Sequence, residues 1–318
     1  MKLWRLVPPM GKIINRHNTD PFHLQGDPSK TVIFFPGLTK FARDADVIAK
    51  ILHSTENANF FAENLPGQES FATFSRTRAW MMLRKAEALV IKRHKEVGHP
   101  VVLMGVSTGA LIAGIIAARH PEKVRAVVLI SAARTLHRKA QRGIWFGLTM
   151  QWILWPTCWW WSNYWSIPAG SIADDPDKEQ AEGRPYHTRI PMWTGSSILY
   201  LQILFGFSLS KMMCPVQQVW SKSDDIIAKG VAEEILKDLQ KVRTEEERDS
   251  VCLAHAPHVP TVTEMLETSE REILEISLQR FLRRVWSRPL RPMYPEERLF
   301  LRIKKWFRRS LRRVPKSA

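Results

Sequence analysis

The stretch Val101–Gly114, VVLMGVSTGALIAG, decides how the chain is read. Its opening, Val101 to Gly105, is apolar or Gly and includes two β-branched Val, the composition of a strand buried on both faces. The strand is placed at Val101–Val106. The end of the stretch, Ala110 running on to Ala118, is rich in Ala, Ile and Leu and reads as a helix. Between them lies Gly105-Val106-Ser107-Thr108-Gly109, a G-x-S-x-G. A Ser on a tight strand-to-helix turn is pushed outward, with its hydroxyl exposed and its backbone strained. Glycines flank it because a Cβ at either position would collide with the neighbouring strand or helix. The helix N-terminus aims free N–H groups and partial positive charge at any oxyanion formed beside the Ser. Three fixed letters are a weak signal alone. The apolar strand before them and the Ala-rich helix behind give them weight.

Outward from this stretch, the chain alternates. Gly11–Ile14 and Phe22–Leu24 read as short opening strands, bounded by Asp20-Pro21 and Gly26-Asp27-Pro28 turns. Thr31–Phe35 is a buried strand stopped by Pro36-Gly37, and Asn59–Ala62 is another. Asp44–His53 and Thr77–Glu96 have helical spacing, and Val124–Ser131 is a further buried strand. After residue 214 the pattern resumes with a strand at Val216–Trp220, a helix at Ile226–Val242, a short strand at Ser250–Ala254 and an amphipathic helix at Val262–Val285. Strands alternating with helices predict an α/β fold, a mostly parallel sheet with helices on both faces.

A Ser hydroxyl is a poor nucleophile until a neutral imidazole takes its proton, and that imidazole needs a carboxylate on its other nitrogen. Groups at the carboxyl ends of parallel strands converge on one edge. After the strand at 216–220 the chain offers Asp224 or Asp225, and after the last strand His255 or His258. The order Ser, Asp, His is the order a nucleophile elbow requires. The other eight His are expected as ordinary polar loop residues; His17, His94 and His120 lie in polar stretches. No H-E-x-x-H or H-x-H-x-D pattern points to a metal, and no glycine-rich dinucleotide fingerprint follows the first clear strand, so no cofactor is expected.

These motifs resemble the α/β-hydrolase superfamily, near its lysophospholipase, monoacylglycerol lipase and carboxylesterase branch. The matched residues are Phe34-Phe35-Pro36-Gly37-Leu38, Asn64-Leu65-Pro66-Gly67-Gln68-Glu69-Ser70, the elbow, Ser221–Ile226 and His258-Val259-Pro260-Thr261. The likeness covers Thr31–Ala133 and Pro215–Val285. It implies Ser107 as nucleophile, His258 as base and Asp224 as the acid, by the family's strand-to-acid spacing. It also implies backbone N–H groups of Leu38 and Thr108 as the oxyanion hole. Pro36 stands where the family carries His, which backbone donors tolerate. Gln68-Glu69 replaces His-Gly, so that loop is expected to differ in shape, and the following Ser comes one position early. The reaction implied is hydrolysis of a carboxylic ester through an acyl-serine. An acyl transfer in which an alcohol replaces water would use the same groups. A catalytically silent, membrane-associated interaction protein with this fold is the third reading, and an intact Ser, Asp and His argue against it.

Residues 134–213, where the superfamily carries its variable lid, differ in composition. Between Arg142 and Asp174 there is no charge for 31 residues, and seven of the 13 Trp lie there. Ile190–Ser210 is a second charge-free run. Both are long enough to span a bilayer. Pro156, Asn163 and the clustered Trp argue against spanning in the first, as Gly195-Ser196-Ser197 and Gln202 do in the second. An inserted, Trp-rich apolar lid is the expectation, with a hydrophobic ester as its substrate.

The net charge of +16 is concentrated at one end. Residues 280–318 hold 14 Lys and Arg against two Glu, a net of +12, which leaves +4 for residues 1–279. In Glu296–Val314 the residues Leu299, Phe300, Ile303, Trp306, Phe307, Leu311 and Val314 share one helical side, with Arg302, Lys305, Arg309, Arg312 and Arg313 opposite. Aromatic residues facing a basic side predict an interfacial helix on an anionic membrane. No nucleic-acid motif accompanies the charge, and none is expected as partner. Three widely spaced Cys form no disulfide or zinc pattern, and MKLWRLVPPMGK lacks the apolar run of a secretory signal. The expected location is cytoplasmic, peripheral on a membrane. The expected organisation is a catalytic core of 1–133 and 214–285, an insertion at 134–213 and a basic tail at 286–318.

Overall fold

The computed structural model describes residues 13–14, 19–138, 141–142, 144–146, 149, 166–168, 186–240, 247–256, 258 and 266–289. The tail helix expected at 296–314 and all seven Trp of the first charge-free run except Trp145 lie outside them. The chain divides into two compact units, Met1–Trp286 and Ser287–Ala318, and the sheet with its covering helices belongs to the first.

In chain order the elements are β1 (Ile13–Ile14), β2 (Phe22–Leu24), β3 (Asp27–Phe35), α1 (Asp46–Glu56), β4 (Ala58–Ala62), α2 (Phe71–Arg76), α3 (Ala79–Val97), β5 (Val101–Val106), α4 (Thr108–Arg119) and β6 (Val124–Ile130). Then come β7 (Ser166–Pro168), β8 (Tyr186–His187), β9 (Arg189–Pro191), α5 (Met192–Leu209), β10 (Val216–Ser221), α6 (Val231–Gln240), β11 (Arg248–Leu253) and α7 (Thr268–Ser287). Seven strands form one sheet in the order β11-β10-β6-β5-β3-β4-β2. Every pairing is parallel except β2 with β4. The expected α/β-hydrolase architecture is therefore present.

The apolar runs explain the layers. All six residues of β5 are buried. Val101 and Leu103 point into the cluster beneath α3, α4, α5 and α6, while Val102, Met104 and Val106 point into the cluster beneath α1 and α7. Each face of a centrally placed strand meets a helical layer, so alternation of apolar with polar residues has no place in it. The strand register brings Gly105 opposite Phe35 on one side and Leu129 on the other.

Three departures from the sequence reading have physical causes. The helix expected at Ile226–Val242 begins only at Val231, because Ile226 and Ile227 give their N–H groups to Asp224 and Gly230 turns the chain at φ +86°. The short helix α2 has no counterpart in the sequence pattern. Six residues show no periodicity, and its signal is the reciprocal capping of Ser70 and Thr73. The second charge-free run is α5, among the described residues the one helix long and apolar enough to cross a membrane. It lies on α4 as part of the core. Phe205 is fully buried against Gly114, where a Cβ would come within 2.5 Å of the Phe205 ring.

Candidate active site

Ser107 follows β5 directly and carries φ +53° and ψ −113°, a left-handed region that L side chains rarely adopt. Its surroundings enforce this. The Ser107 N–H donates to Ile130 O at 2.9 Å, and Ser107 O accepts from Ala133 N at 3.3 Å, so the turn is fastened to the end of β6. Both glycines are required. A Cβ on Gly105 would lie 2.3 Å from Gly109 O, and one on Gly109 would lie 2.1 Å from Phe35 O. Thr108 opens α4 at its N-terminus.

Past the end of β10, Asp224 Oδ1 accepts the N–H groups of Ile226 and Ile227, each at 2.9 Å. Its Oδ2 meets His258 Nδ1 at 2.8 Å, both side chains being 6% exposed. Burial pushes the Asp224 carboxyl up. The charge and hydrogen bond of His258, with the two backbone donors, outweigh burial and hold its pKa below the ordinary carboxylate value. An ionised Asp224 fixes the proton on Nδ1 and leaves Nε2 as the basic nitrogen. The two alternatives lie elsewhere. Asp225 is exposed, and His255 is exposed with its backbone N–H on Glu270 Oε1 at 2.7 Å.

The loop after β3 lies against the elbow. A Cβ on Gly37 would sit 3.7 Å from Ser107 Cβ, and Leu38 is buried. This loop is held by Gln68, which is fully buried. Gln68 Nε2 reaches Gly37 O at 3.1 Å, Leu38 O at 3.2 Å and Lys40 O at 2.5 Å, while its Oε1 accepts Leu65 N–H at 2.8 Å.

Beside it lies His187, fully buried, stacked with Phe41 at 5.4 Å and Phe74 at 4.3 Å between ring centroids. Its Nε2–H donates to Gln68 O at 3.1 Å and its backbone N–H to Thr39 O at 3.0 Å. Burial lowers its pKa to about 4, outweighing the opposing pull of Gln68 O, so the ring is neutral at physiological pH. The sequence reading of His187 as a polar loop residue is corrected: it is an interior residue. His120 is corrected likewise, being buried with Nε2 on Glu87 Oε1 at 2.5 Å. For Gln68 the signal was present in its replacing the family's His. For His187 no local pattern marked it.

A cavity of about 330 Å³ lies behind the acid, with Ser131, Gln218, Lys222, Asp224 and the first turn of α6 among its walls. Ser107 and His258 do not line it. Among the described residues, no cluster of three or more His, Cys, Asp or Glu is placed to hold a metal ion.

Residues 26–258, from the start of β3 to the histidine bonded to Asp224, match the hydrolase family described as serine aminopeptidase, S33. The chain belongs to that family. Solved structures show the same fold. The monoacylglycerol lipase of Paleococcus ferrophilus is 17% identical, with 83% of this chain and 98% of that chain covered at a TM-score of 0.63. A soluble variant of monoglyceride lipase from Saccharomyces cerevisiae, solved with a substrate analog, is 12% identical over 90% and 98% of the two chains at a TM-score of 0.64. A carboxylesterase of the thaumarchaeon Nitrososphaera gargenis is 13% identical over 87% and 98%, at 0.57. No curated protein matches this member of the S33 family by sequence.

Proposed function

We propose that the protein hydrolyses a carboxylic ester of a hydrophobic acyl group through an acyl-serine intermediate. The observation that carries the reading is the buried Asp224–His258 hydrogen bond, formed past the ends of β10 and β11, the strand edge where Ser107 also follows β5. His258 Nε2 takes the Ser107 hydroxyl proton as Oγ attacks the ester carbonyl, and the electron pair moves onto the carbonyl oxygen. Leu38 and Thr108 N–H groups receive that oxyanion. Collapse expels the alcohol, which takes the proton from His258. Water then attacks the acyl-serine with His258 again as base, releasing the acid and restoring Ser107. Asp224 stays ionised throughout and holds the imidazolium.

A hydrophobic acyl group is favoured by the two charge-free runs, residues 143–173 and 190–210, within the insertion at 134–213, beside an otherwise hydrolase-like core. The basic residues of 296–314 favour docking on an anionic membrane surface, where such an ester would partition. Cytoplasmic location at such a surface completes the reading.

The test is fluorophosphonate labelling with mapping of the modified residue, alongside turnover of a soluble short-chain p-nitrophenyl ester. Ser107 is the expected site, and Ser107→Ala lowers kcat by about 10³-fold or more with folding intact. His258→Ala removes turnover and His255→Ala leaves most of it; the reverse moves the base to His255. Turnover of Ser107→Ala within tenfold of wild type ends the enzymatic reading. Preference for a p-nitroanilide over the ester would move the substrate to peptides. An added alcohol that captures the acyl group in preference to water would make the protein an acyltransferase.

A further inference from the structure

We infer that Gln68 and His187 are positioning residues of the oxyanion hole, and that strand β8 of the insertion is thereby part of the catalytic apparatus. The inference rests on the proposed ester hydrolysis, in which the Leu38 N–H is an oxyanion donor. One peptide plane makes the connection. Gly37 C=O and Leu38 N–H belong to the same planar trans unit and point in opposite directions. Whatever fixes the carbonyl fixes the direction of the N–H. Gln68 Nε2 donates to that carbonyl at 3.1 Å. The same bond polarises the peptide and makes its N–H a stronger donor.

The remaining contacts make the arrangement stiff. Four successive carbonyls, Gly37 to Lys40, are all engaged: three by the Gln68 amide and that of Thr39 by the His187 backbone N–H at 3.0 Å. Gln68 is itself gripped from both ends. Its Oε1 takes Leu65 N–H at 2.8 Å, and its backbone O takes His187 Nε2–H at 3.1 Å. The His187 ring is stacked with both Phe41 and Phe74, which restricts its rotation. Among the described residues its Nδ1 has no hydrogen-bond partner, and the ring's polar contact there is the donor to Gln68. A carboxamide suits position 68 because one end accepts and the other donates. A carboxylate there would set oxygen against three carbonyl oxygens.

The experiment uses the full chain and the p-nitrophenyl ester. Gln68→Glu is expected to lower kcat about 100-fold with KM within threefold, the mark of a donor lost from the oxyanion hole. His187→Phe keeps the stack and loses the donor, and should lower kcat about tenfold. His187→Gln restores an N–H and should bring kcat back to within threefold of wild type. The double variant Gln68→Glu/His187→Phe should be no slower than Gln68→Glu, because the two act in series. Undiminished kcat in Gln68→Glu overturns the inference, as does a change confined to KM or a multiplicative double variant. If Gln68→Glu does not fold, the pair His187→Phe and His187→Gln decides: equal activity in the two overturns it. A wild type whose Ser107 resists the fluorophosphonate would overturn the hydrolase reading itself, an outcome seen before any Gln68 variant is made.

Discussion

Ser107 keeps a left-handed backbone that only a closed ring of neighbours can impose: Ile130 and Ala133 on its peptide groups, Gly105 and Gly109 on its flanks. Such a conformation costs about 1–3 kcal/mol for a residue with a Cβ. Glycine would relieve it and lose about 0.5–1 kcal/mol to the freer unfolded chain. Ser107→Gly should therefore be more stable than Ser107→Ala by about 1 kcal/mol, read from denaturant midpoints. His187 adds a pH dependence. Its folded pKa is about 4, below the ordinary 6.5, because burial disfavours the charged ring. Below pH 6.5 the unfolded chain takes up a proton that the folded chain refuses. The neutral ring's contribution is complete above pH 6.5 and declines as pH falls to about 4. Lower still, Asp224, whose pKa is depressed, begins to lose its own contribution. His187→Gln should flatten the decline between pH 6.5 and 4 in equilibrium unfolding.

At the scale of elements, α5 shows what a sequence can conceal. Its polar residues count against a membrane span, and two of them, Ser197 and Gln202, tie it to other elements of the fold. Ser197 Oγ accepts the Ala79 N–H at the start of α3 at 2.9 Å, and Gln202 Nε2 donates to Ala133 O beyond β6 at 2.9 Å. One side presents Phe205 to Gly114, while Tyr200, Ile203 and Phe207 face outward, Phe207 being 67% exposed. Phe205→Ala should cost about 3–5 kcal/mol by urea denaturation, and Phe207→Ala, on the same helix, less than about 0.5 kcal/mol. The central strands were legible because burial on both faces leaves continuous apolar runs: β5 was bounded to the residue. The positions of the elbow, Asp224 and His258 were legible because they sit at fixed offsets from those runs; their catalytic roles belong to the proposal. The partners of the Leu38 loop were not. Gln68 and His187 are 119 residues apart, and only tertiary packing brings them together. The residues after Asp224 misled because backbone bonds to the acid replaced a helical turn that their composition favours.

For the molecule as a whole, charge and apolar surface divide the labour. Eight Lys and Arg fall within Glu296–Val314. At about 0.5 kcal/mol each, half the full value near an anionic surface, they would give roughly millimolar attachment before apolar burial adds to it. A chain cut after Pro289 should keep ester turnover and lose sedimentation with anionic vesicles at low salt. The cut belongs there because Arg125 holds the Val285 and Trp286 carbonyls at 3.1 and 2.9 Å, so a cut at Val285 would damage the end of α7. Full-length protein that ignores such vesicles would end the interfacial reading. Strand order carries a different consequence, one of timing. β6 pairs with β10 in the sheet, yet residues 131–215 lie between them in the chain. During synthesis, at about 5–20 residues per second, the apolar strand Val124–Ile130 stands as an open edge for on the order of ten seconds. His258, the proposed base, arrives later still. A nascent chain therefore carries Ser107, the proposed nucleophile, long before His258 exists to serve it, and in that interval its exposed sheet edge invites a chaperone or a wrong neighbour.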